Sequence, residues 1–314
     1  MNERPLVTVN ILSFNRKDEL RNTLTKVYEQ DYKNIEVIVV DNASIDGSSE
    51  MVKNEFPSVH LIQMKKNIGI AGWNEGFKVA KGEYVLVLDD DSYPIKGSIL
   101  NATQKMNTTE SIGVLACRVI QNDLDNKKIE VSNQEVEKKL TSFIGCGAFI
   151  KSLVIKKIGY FEKSLFIYMH EVEYAMRVID CGWEVIFCPS SIVIHNNSHL
   201  NREIDSIHLD DRKIFYDVRN LFIIIFLHFP ISRIVVKVPR IIFGRVLFGI
   251  IYGKLNVVLS AIYSALSLSI QLNSERNILN KKTQKLYKYG SFAGGFFFFN
   301  SDYGLNRPKW LKLN

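Results

Sequence analysis

Apolar positions recur along the first ninety residues in two alternating rhythms. Residues 6–12 (LVTVNIL) form a β-branched run, and residues 18–30 follow with helical spacing. Leu20, Leu24 and Val27 share one face there, behind Asp18. IEVIVV at 35–40 is a second apolar run, closed by Asp41 and the turn-prone residues 42–47. A helix is predicted from there to about Phe56, where Pro57 ends it. Residues 59–64 predict a short third strand, 72–80 a helix, and 84–88 (YVLVL) a fourth strand. Strands apolar on both faces, alternating with helices, predict a parallel sheet covered by helices on both sides. Ligands of such sheets bind beyond the carboxyl ends of the strands. The polar groups collect at those ends, in residues 13–16, 41–44, 67–69 and 89–91.

Beyond about residue 113 the segments shorten. Residues 114–120 and 127–132 predict strands of a smaller antiparallel part, 172–180 a helix, and 184–194 two short strands around Pro189. From 221 the character changes again. LFIIIFLHF is an apolar block, residues 234–253 interleave apolar positions with Lys237, Arg240 and Arg245, and 255–273 carry no charge but four serines. A membrane-spanning helix needs ~20 predominantly apolar residues. Only the last segment approaches that length, and its serines dilute it. The pattern predicts helices lying in a membrane interface, and a division into domains at 1–220 and 221–314.

Composition narrows this picture. Among 314 residues, 46% apolar and 23% charged exclude disorder, collagen and coiled coil for the whole chain. The net charge of +7 hides an asymmetry: residues 1–200 carry 23 Lys and Arg against 26 Asp and Glu, residues 221–314 carry 13 against 2. A tail this basic suits a polyanionic surface. Its apolar blocks at 221–229 and 241–251 favour anionic lipid over nucleic acid, so no nucleic-acid partner is expected. Four scattered cysteines without a CxxC pair suit reduced thiols in a cytosolic chain, not a disulfide scaffold or zinc site. Residues 1–5 lead straight into a strand with no small-residue cleavage site, so no signal peptide is expected.

Several groups could carry chemistry. Asp89-Asp90-Asp91 directly follow an apolar strand, and three adjoining carboxylates repel one another unless a cation sits among them. Hard divalent ions take oxygen ligands and bridge to phosphates. In an extended segment Asp89 and Asp91 face one side while Asp90 turns away. The alternative is a solvated acidic turn. Asp41 can accept a hydrogen bond from a pyrimidine N–H, or cap the next helix as Ser44 or Asp46 also could. In NIGIAGWNEGF from residue 67, Gly69, Gly72 and Gly76 allow close backbone approach to a ligand, or serve tight turns. The spacing is not GxGxxG, and no Walker lysine is present. Glu171 and Glu173 open a helix, where acids serve either as a general base or as partners of the helix dipole. His195 ends the run 192–194 and can ligate a metal, with His199 as a rival.

Taken in order, these elements resemble a family 2 glycosyltransferase of the GT-A fold, in the bacterial rhamnosyl- and galactofuranosyltransferase-like branch. The matching residues are VNILSFNR from Val9, VVDNAS from Val39, Asn67-Ile68-Gly69 through Asn74-Glu75-Gly76, and LDDDS from Leu88. They continue with Gly145-Cys146-Gly147-Ala148, YMHEVE from Tyr168 ending in Arg177, Cys188-Pro189 to His195, and YDVRN from Tyr216. The resemblance covers about residues 6–225.

The resemblance implies an α/β GT-A fold with a mostly parallel central sheet, followed by membrane-associating helices. It implies that Asp41 holds the uracil or thymine of a UDP- or dTDP-linked sugar, with Ser13, Asn15 and Arg16 lining the nucleotide pocket. Asn67 and Gly69 form its far wall. Asp89 touches ribose or metal, Asp90 belongs to the nucleotide-sugar site, and Asp91 and His195 complete a Mn²⁺ or Mg²⁺ site. Family members usually carry Glu-Asp where this chain has His170-Glu171, so Glu171 takes the place of the catalytic base. The implied activity is metal-dependent, inverting transfer of a sugar from a nucleoside-diphosphate sugar to a hydroxyl of a glycan acceptor, expected to be lipid-linked, in bacterial surface polysaccharide synthesis. The expected location is the cytoplasmic face of the cell membrane, peripherally bound; a homo-oligomer stays open. Two alternatives remain. A nucleotidyltransferase would favour a lysine-containing glycine loop where this chain has Ser13-Phe14-Asn15-Arg16. A non-catalytic sugar-nucleotide-binding subunit would have lost its base at His170-Glu171.

Overall fold

The computed structural model describes residues 4–122, 136–196 and 210–287; the expected strand at 127–132 and His199 lie outside the described residues. The chain divides into two compact units, residues 1–166 with 177–201, and residues 167–176 with 202–314.

The first unit begins with β1 (Val7–Ser13), α1 (Lys17–Tyr28), β2 (Ile35–Asp41), α2 (Ser48–Glu55), β3 (His60–Gln63), α3 (Gly72–Val79) and β4 (Tyr84–Asp89). Every residue of β1 but Leu12 is buried, which is why the strand reads as an unbroken apolar run. Leu20, Leu24 and Val27 are the apolar stripe of α1 and pack in the core with Val9, Ile11, Val39 and Leu88. The remaining elements are β5 (Ser92–Pro94), α4 (Ser98–Met106), β6 (Ile112–Asn122), β7 (Lys138–Leu140), β8 (Ala148–Lys151), α5 (Ser152–Ile158), α6 (His170–Asp180) and β9 (Glu184–Asn196).

These strands form one sheet in the order β3-β2-β1-β4-β8-β6-β9-β5, with β7 also paired to β9. The expected mostly parallel sheet needs correction. β1, β2, β3 and β4 are parallel, but β8 enters antiparallel between β4 and β6, and β5 and β7 pair antiparallel to β9. β8 is buried along most of its length, so its sequence AFIK carries no mark of direction. Nor does 114–120 belong to a smaller antiparallel part. β6 and β9 run parallel within the same sheet. The two strands expected around Pro189 are one, whose register jumps from Cys117 opposite Cys188 to Arg118 opposite Ile192. Pro189 lies in the resulting bulge, where its missing N–H costs no ladder bond.

The second unit holds the first turns of α6 together with α7 (Asp211–His228), α8 (Ile231–Ile251), α9 (Leu255–Gln271) and α10 (Lys281–Leu286). Residue 220 falls within α7. The apolar block at 221–229 is largely buried, and α7, α8 and α9 pack on one another. Among the described residues, no helix is long and apolar enough to cross a membrane.

Candidate active site

The acidic cluster is built by a tight turn between β4 and β5. Asp89 N–H donates to Ser92 Oγ at 2.9 Å, which folds the chain back directly after the strand. Asp90 is drawn toward the loop after β1: Phe14 N–H donates to its Oδ2 at 3.1 Å, and Thr23 Oγ1 donates to its carbonyl at 2.8 Å. Arg16 stands 3.5 Å from Asp90 and also pairs with Asp91. The pairing of β5 with β9 sets Ser92 opposite His195, and Asn196 N–H donates to Asp91 O at 2.8 Å. His195 Nε2 thereby lies 3.1 Å from Asp91 Oδ1 and 4.0 Å from Asp89 Oδ2. Asp89, Cys146 and His195 each offer a donor atom, all within 4.8 Å of one another.

The charges in this cluster tune one another. Burial pushes the Asp91 carboxyl up, but the His195 hydrogen bond and the charges of His195 and Arg16 outweigh it and hold the group below its ordinary value. Burial likewise opposes a charged His195, and its bond to Asp91 prevails, raising the imidazole. For Asp90 the balance goes the other way: burial, with the neighbouring Asp91 and Asp89 charges, outweighs Arg16 and the Phe14 N–H and pushes it up to about 7. Asp91 Oδ1 is a buried carboxylate oxygen aimed at an imidazole nitrogen, with the Asp89 carboxylate beside it. Carboxylate oxygens with one imidazole are a donor set for a divalent cation such as Mn²⁺ or Mg²⁺, and these residues fit one.

The ends of β1 and β2 form a second cluster. Asp41 is buried and accepts from Ser44 N–H at 2.9 Å and from Ser49 Oγ. Asn15, at φ 53, donates its N–H to Ser44 Oγ at 2.9 Å and accepts from Ile45 N–H at 2.8 Å. Ser13 is buried, and its carbonyl accepts from Asn42 N–H at 2.8 Å. Asn42 donates to Asn67 Oδ1 at 2.9 Å and Gly69 O at 3.1 Å, tying the loop at 67–69 to the end of β2. Gly69 in this loop and Gly72 and Gly76 in α3 sit where neighbouring protein atoms leave no room for a side chain. A Cβ at Gly69, whose φ is +65, would stand 2.0 Å from Phe166 O, one at Gly72 2.3 Å from Leu12, and one at Gly76 2.0 Å from Asn10. The site thus brings together Arg16, Asp89, Asp90, Asp91 and His195, and separately Ser13, Asn15, Asp41, Asn67 and Gly69.

Glu171 and Glu173 belong to the second unit. Glu171 lies in the first turn of α6 with its side chain 22% exposed, 3.2 Å from His170 Nδ1. Glu173 is buried, and its Oε1 lies 2.9 Å from His228 Nε2. Two acids of the same helical turn therefore differ: one reaches solvent and the other is spent on a buried pair.

Sequence reasoning did not single out Asn42, Ser49 or Cys146 as site residues. Cys146 sits in a run already matched to a family motif, which was the available signal. Asn42 likewise lies in the matched run VVDNAS, whereas Ser49 lies outside every matched run.

An α/β sheet of this order, with an acidic turn at one strand end facing a histidine, defines a GT-A-like fold. Residues 8–169 match the model described as Glycosyl transferase family 2, and the chain belongs to that family. It is 36% identical over 106 residues to UDP-Glc:alpha-D-GlcNAc-diphosphoundecaprenol beta-1,3-glucosyltransferase WfaP of Escherichia coli, a match over 33% of this chain and 42% of that protein. It is 23% identical over 227 residues to dTDP-rhamnosyl transferase RfbF of Shigella flexneri, over 66% of this chain and 76% of that one. Among solved structures, GalNAc-T7 with UDP, GalNAc and Mn²⁺ superposes with a TM-score of 0.54 at 14% identity, covering 71% of this chain and 51% of that one. The chain thus spans less than half the length of the E. coli relative.

Proposed function

We propose that the protein is a metal-dependent, inverting glycosyltransferase that moves a sugar from a nucleoside diphosphate to a hydroxyl of a lipid-linked glycan. The observation that carries this reading is the meeting of Asp89, Asp91 and His195 at the end of β4, in a chain of glycosyl transferase family 2. The relatives' named donors, UDP-Glc and dTDP-rhamnose, support a UDP- or dTDP-linked sugar, and the diphosphoundecaprenol acceptor of one supports a lipid-linked substrate. The Mn²⁺ of the GalNAc-T7 structure supports a divalent ion.

In this reading Asp41 accepts a pyrimidine N–H, Ser13, Asn15, Arg16, Asn67 and Gly69 shape the nucleotide pocket, and Asp89, Asp90, Asp91 and His195 form its diphosphate end. When bound, a divalent cation offsets the negative charge that builds on the leaving diphosphate. Glu171 takes the acceptor proton as the new C–O bond forms and the bond to the diphosphate breaks. One displacement inverts the anomeric centre, so a single base suffices, unlike the paired carboxylates of most glycosidases.

Lipid-linked substrate calls for a place at the membrane surface, and the outer faces of α8 and α9 support one. Leu259, Tyr263, Leu266 and Ile270 form an exposed apolar stripe along α9, and Val235, Val236 and Phe243 are exposed on α8. The basic contribution is smaller than the sequence promised: Arg245 is buried, and Lys254 pairs with Asp211 at 2.7 Å. Apolar insertion therefore carries the peripheral attachment to the cytoplasmic face in this reading.

The test is a screen of UDP- and dTDP-sugars for nucleotide release with Mn²⁺ or Mg²⁺, with and without a polyprenyl-diphosphate-sugar acceptor. Acceptor- and metal-dependent release supports the reading. Donor binding with no turnover for any donor would assign the chain to a non-catalytic role.

A further inference from the structure

One face of α7 carries Lys213, Asp217, Asn220 and His228, whose spacing a helix brings into line. This face grips the approach to α6. Asn220 is fully buried and donates both amide hydrogens, to Ile167 O at 2.7 Å and Tyr168 O at 3.0 Å. Its Oδ1 accepts from Arg219 Nη1 at 3.0 Å, which sets the orientation of the amide. Lys213 Nζ stands 4.7 Å from the centre of the Tyr168 ring. His228 must donate its Nδ1–H to Asn277 O, 2.9 Å away, because a carbonyl oxygen only accepts. Its Nε2 then shares one proton with Glu173 Oε1 at 2.9 Å. Wherever that proton rests, the buried pair carries no net charge, and removing either partner leaves the other buried without it.

The gripped segment is strained. Phe166, Tyr168 and Met169 have φ of 60°, 64° and 63°, a left-handed region that bulky side chains enter only when their surroundings over-determine it. Two amide hydrogens on consecutive carbonyls, followed within one helical turn by a buried ion-pair partner, supply that constraint. Glu171 stands between the two anchor points in sequence, in the first turn of α6.

We propose that α7 is the positioning element for Glu171, with Asn220 and His228 as positioning residues that hold the strained approach and first turn of α6. The inference rests on the reading of Glu171 as the base. It gives the second unit a role in turnover in addition to membrane attachment.

The experiment uses the full chain and measures kcat, acceptor KM, UDP affinity and thermal midpoint. Asn220→Asp keeps the shape but loses both donors, and kcat is expected to fall at least ~10-fold, within what a small misplacement of a reacting group costs. UDP affinity should stay within about twofold, since uniform binding is untouched. His228→Leu should behave likewise, whereas His228→Gln, which keeps a donor where Nε2 stands, should recover most of the turnover. Val258→Ala, a cavity in the buried face of α9, serves as the control for simple destabilisation. A kcat loss in Asn220→Asp and His228→Leu no larger than in Val258→Ala overturns the proposal. So does wild-type turnover in both variants while Glu171→Gln is inactive. Should Asn220→Asp not fold, the His228→Leu and His228→Gln pair decides alone. If Glu171→Gln itself turns over normally, the base assignment has failed, and that result is separate from the fate of the α7 variants.

Discussion

His195 Nε2 lies 3.1 Å from Asp91 Oδ1, joining the end of β9 to the turn after β4 across 104 residues of sequence. The contact exists because β5, three residues long, pairs antiparallel with β9 and sets the histidine beside the acidic turn.

Asp91→Ala is therefore expected to abolish Mn²⁺-dependent donor binding and to lower turnover by more than ~100-fold while leaving the fold intact. His195→Ala should weaken metal dependence less, since water can replace one ligand. Calorimetric Mn²⁺ titration with turnover measurements checks both. Near-normal turnover in Asp91→Ala removes the metal assignment, and a larger effect from His199→Ala moves the histidine ligand.

Glu171 and Glu173 should separate by what they affect. Glu171→Gln is expected to lower turnover at least ~10²-fold, the lower end of what a positioned general base contributes. Glu171→Asp should be tolerated, aspartate being the residue the family resemblance leads one to expect there. Neither should change stability much, because Glu171 reaches solvent. Glu173→Leu removes one partner of a buried pair and should cost about 3–5 kcal/mol of stability. Thermal melts beside kinetic assays distinguish the two; a stable, inactive Glu173 variant with an active Glu171→Gln would exchange their roles.

Without metal, Asp90 contributes stability that is lost as pH rises from acid to neutral, against the opposite contribution of Asp91. The folded value of about 7 for Asp90 stands above the ordinary 3.8, so across that window the folded chain holds a proton there that the unfolded chain releases. Binding more protons when folded makes stability drop with rising pH. His195, also raised, adds a fall in the same direction above its ordinary 6.5. Asp90→Asn should flatten the lower part of the curve and raise the midpoint at pH 8, about 2–4 °C for each kcal/mol in a protein of this size. Melts in chelator from pH 4.5 to 8 check this, and an unchanged slope in the variant rules it out.

The parallel half of the sheet was legible because β1, β2 and β4 are buried on both faces and α1 shows its stripe at 20, 24 and 27. The acidic turn and His195 were legible as separate local features. What joins them was not. Antiparallel β8 has the same apolar signature as a parallel strand, and the bulge at 189–191 reads as a break. The glycines at 69, 72 and 76 looked like ligand contacts, yet the atoms that exclude a Cβ there belong to Phe166, Leu12 and Asn10. Arg245 counted as surface charge in the sequence, but helix packing buries it, and burial pushes its guanidinium down to about 10. Each of these depends on a partner distant in sequence, which a local pattern does not name.

The proposed attachment to membranes turns on the outer stripe of α9. Leu259, Tyr263, Leu266 and Ile270 are 47%, 76%, 57% and 79% exposed, at spacings of four, three and four residues, while Val258, Ala261, Ile262 and Ala265 bury the opposite face. A helix apolar on both sides has an unpartnered face that favours an apolar environment. Full burial of a Leu or Ile side chain is worth about 1.5–3 kcal/mol, so Leu266→Glu with Ile270→Glu should lower partitioning onto anionic phospholipid vesicles by more than about tenfold. Each basic residue near the surface adds only about 1 kcal/mol, and salt screens it. High salt should accordingly release a minor fraction of wild-type protein in a flotation assay, and the double variant should stay in solution at any salt. If the double variant floats as the wild type does, the stripe is not the membrane contact. If instead wild-type protein self-associates in sedimentation without lipid and the variant does not, the face belongs to a second copy of the chain.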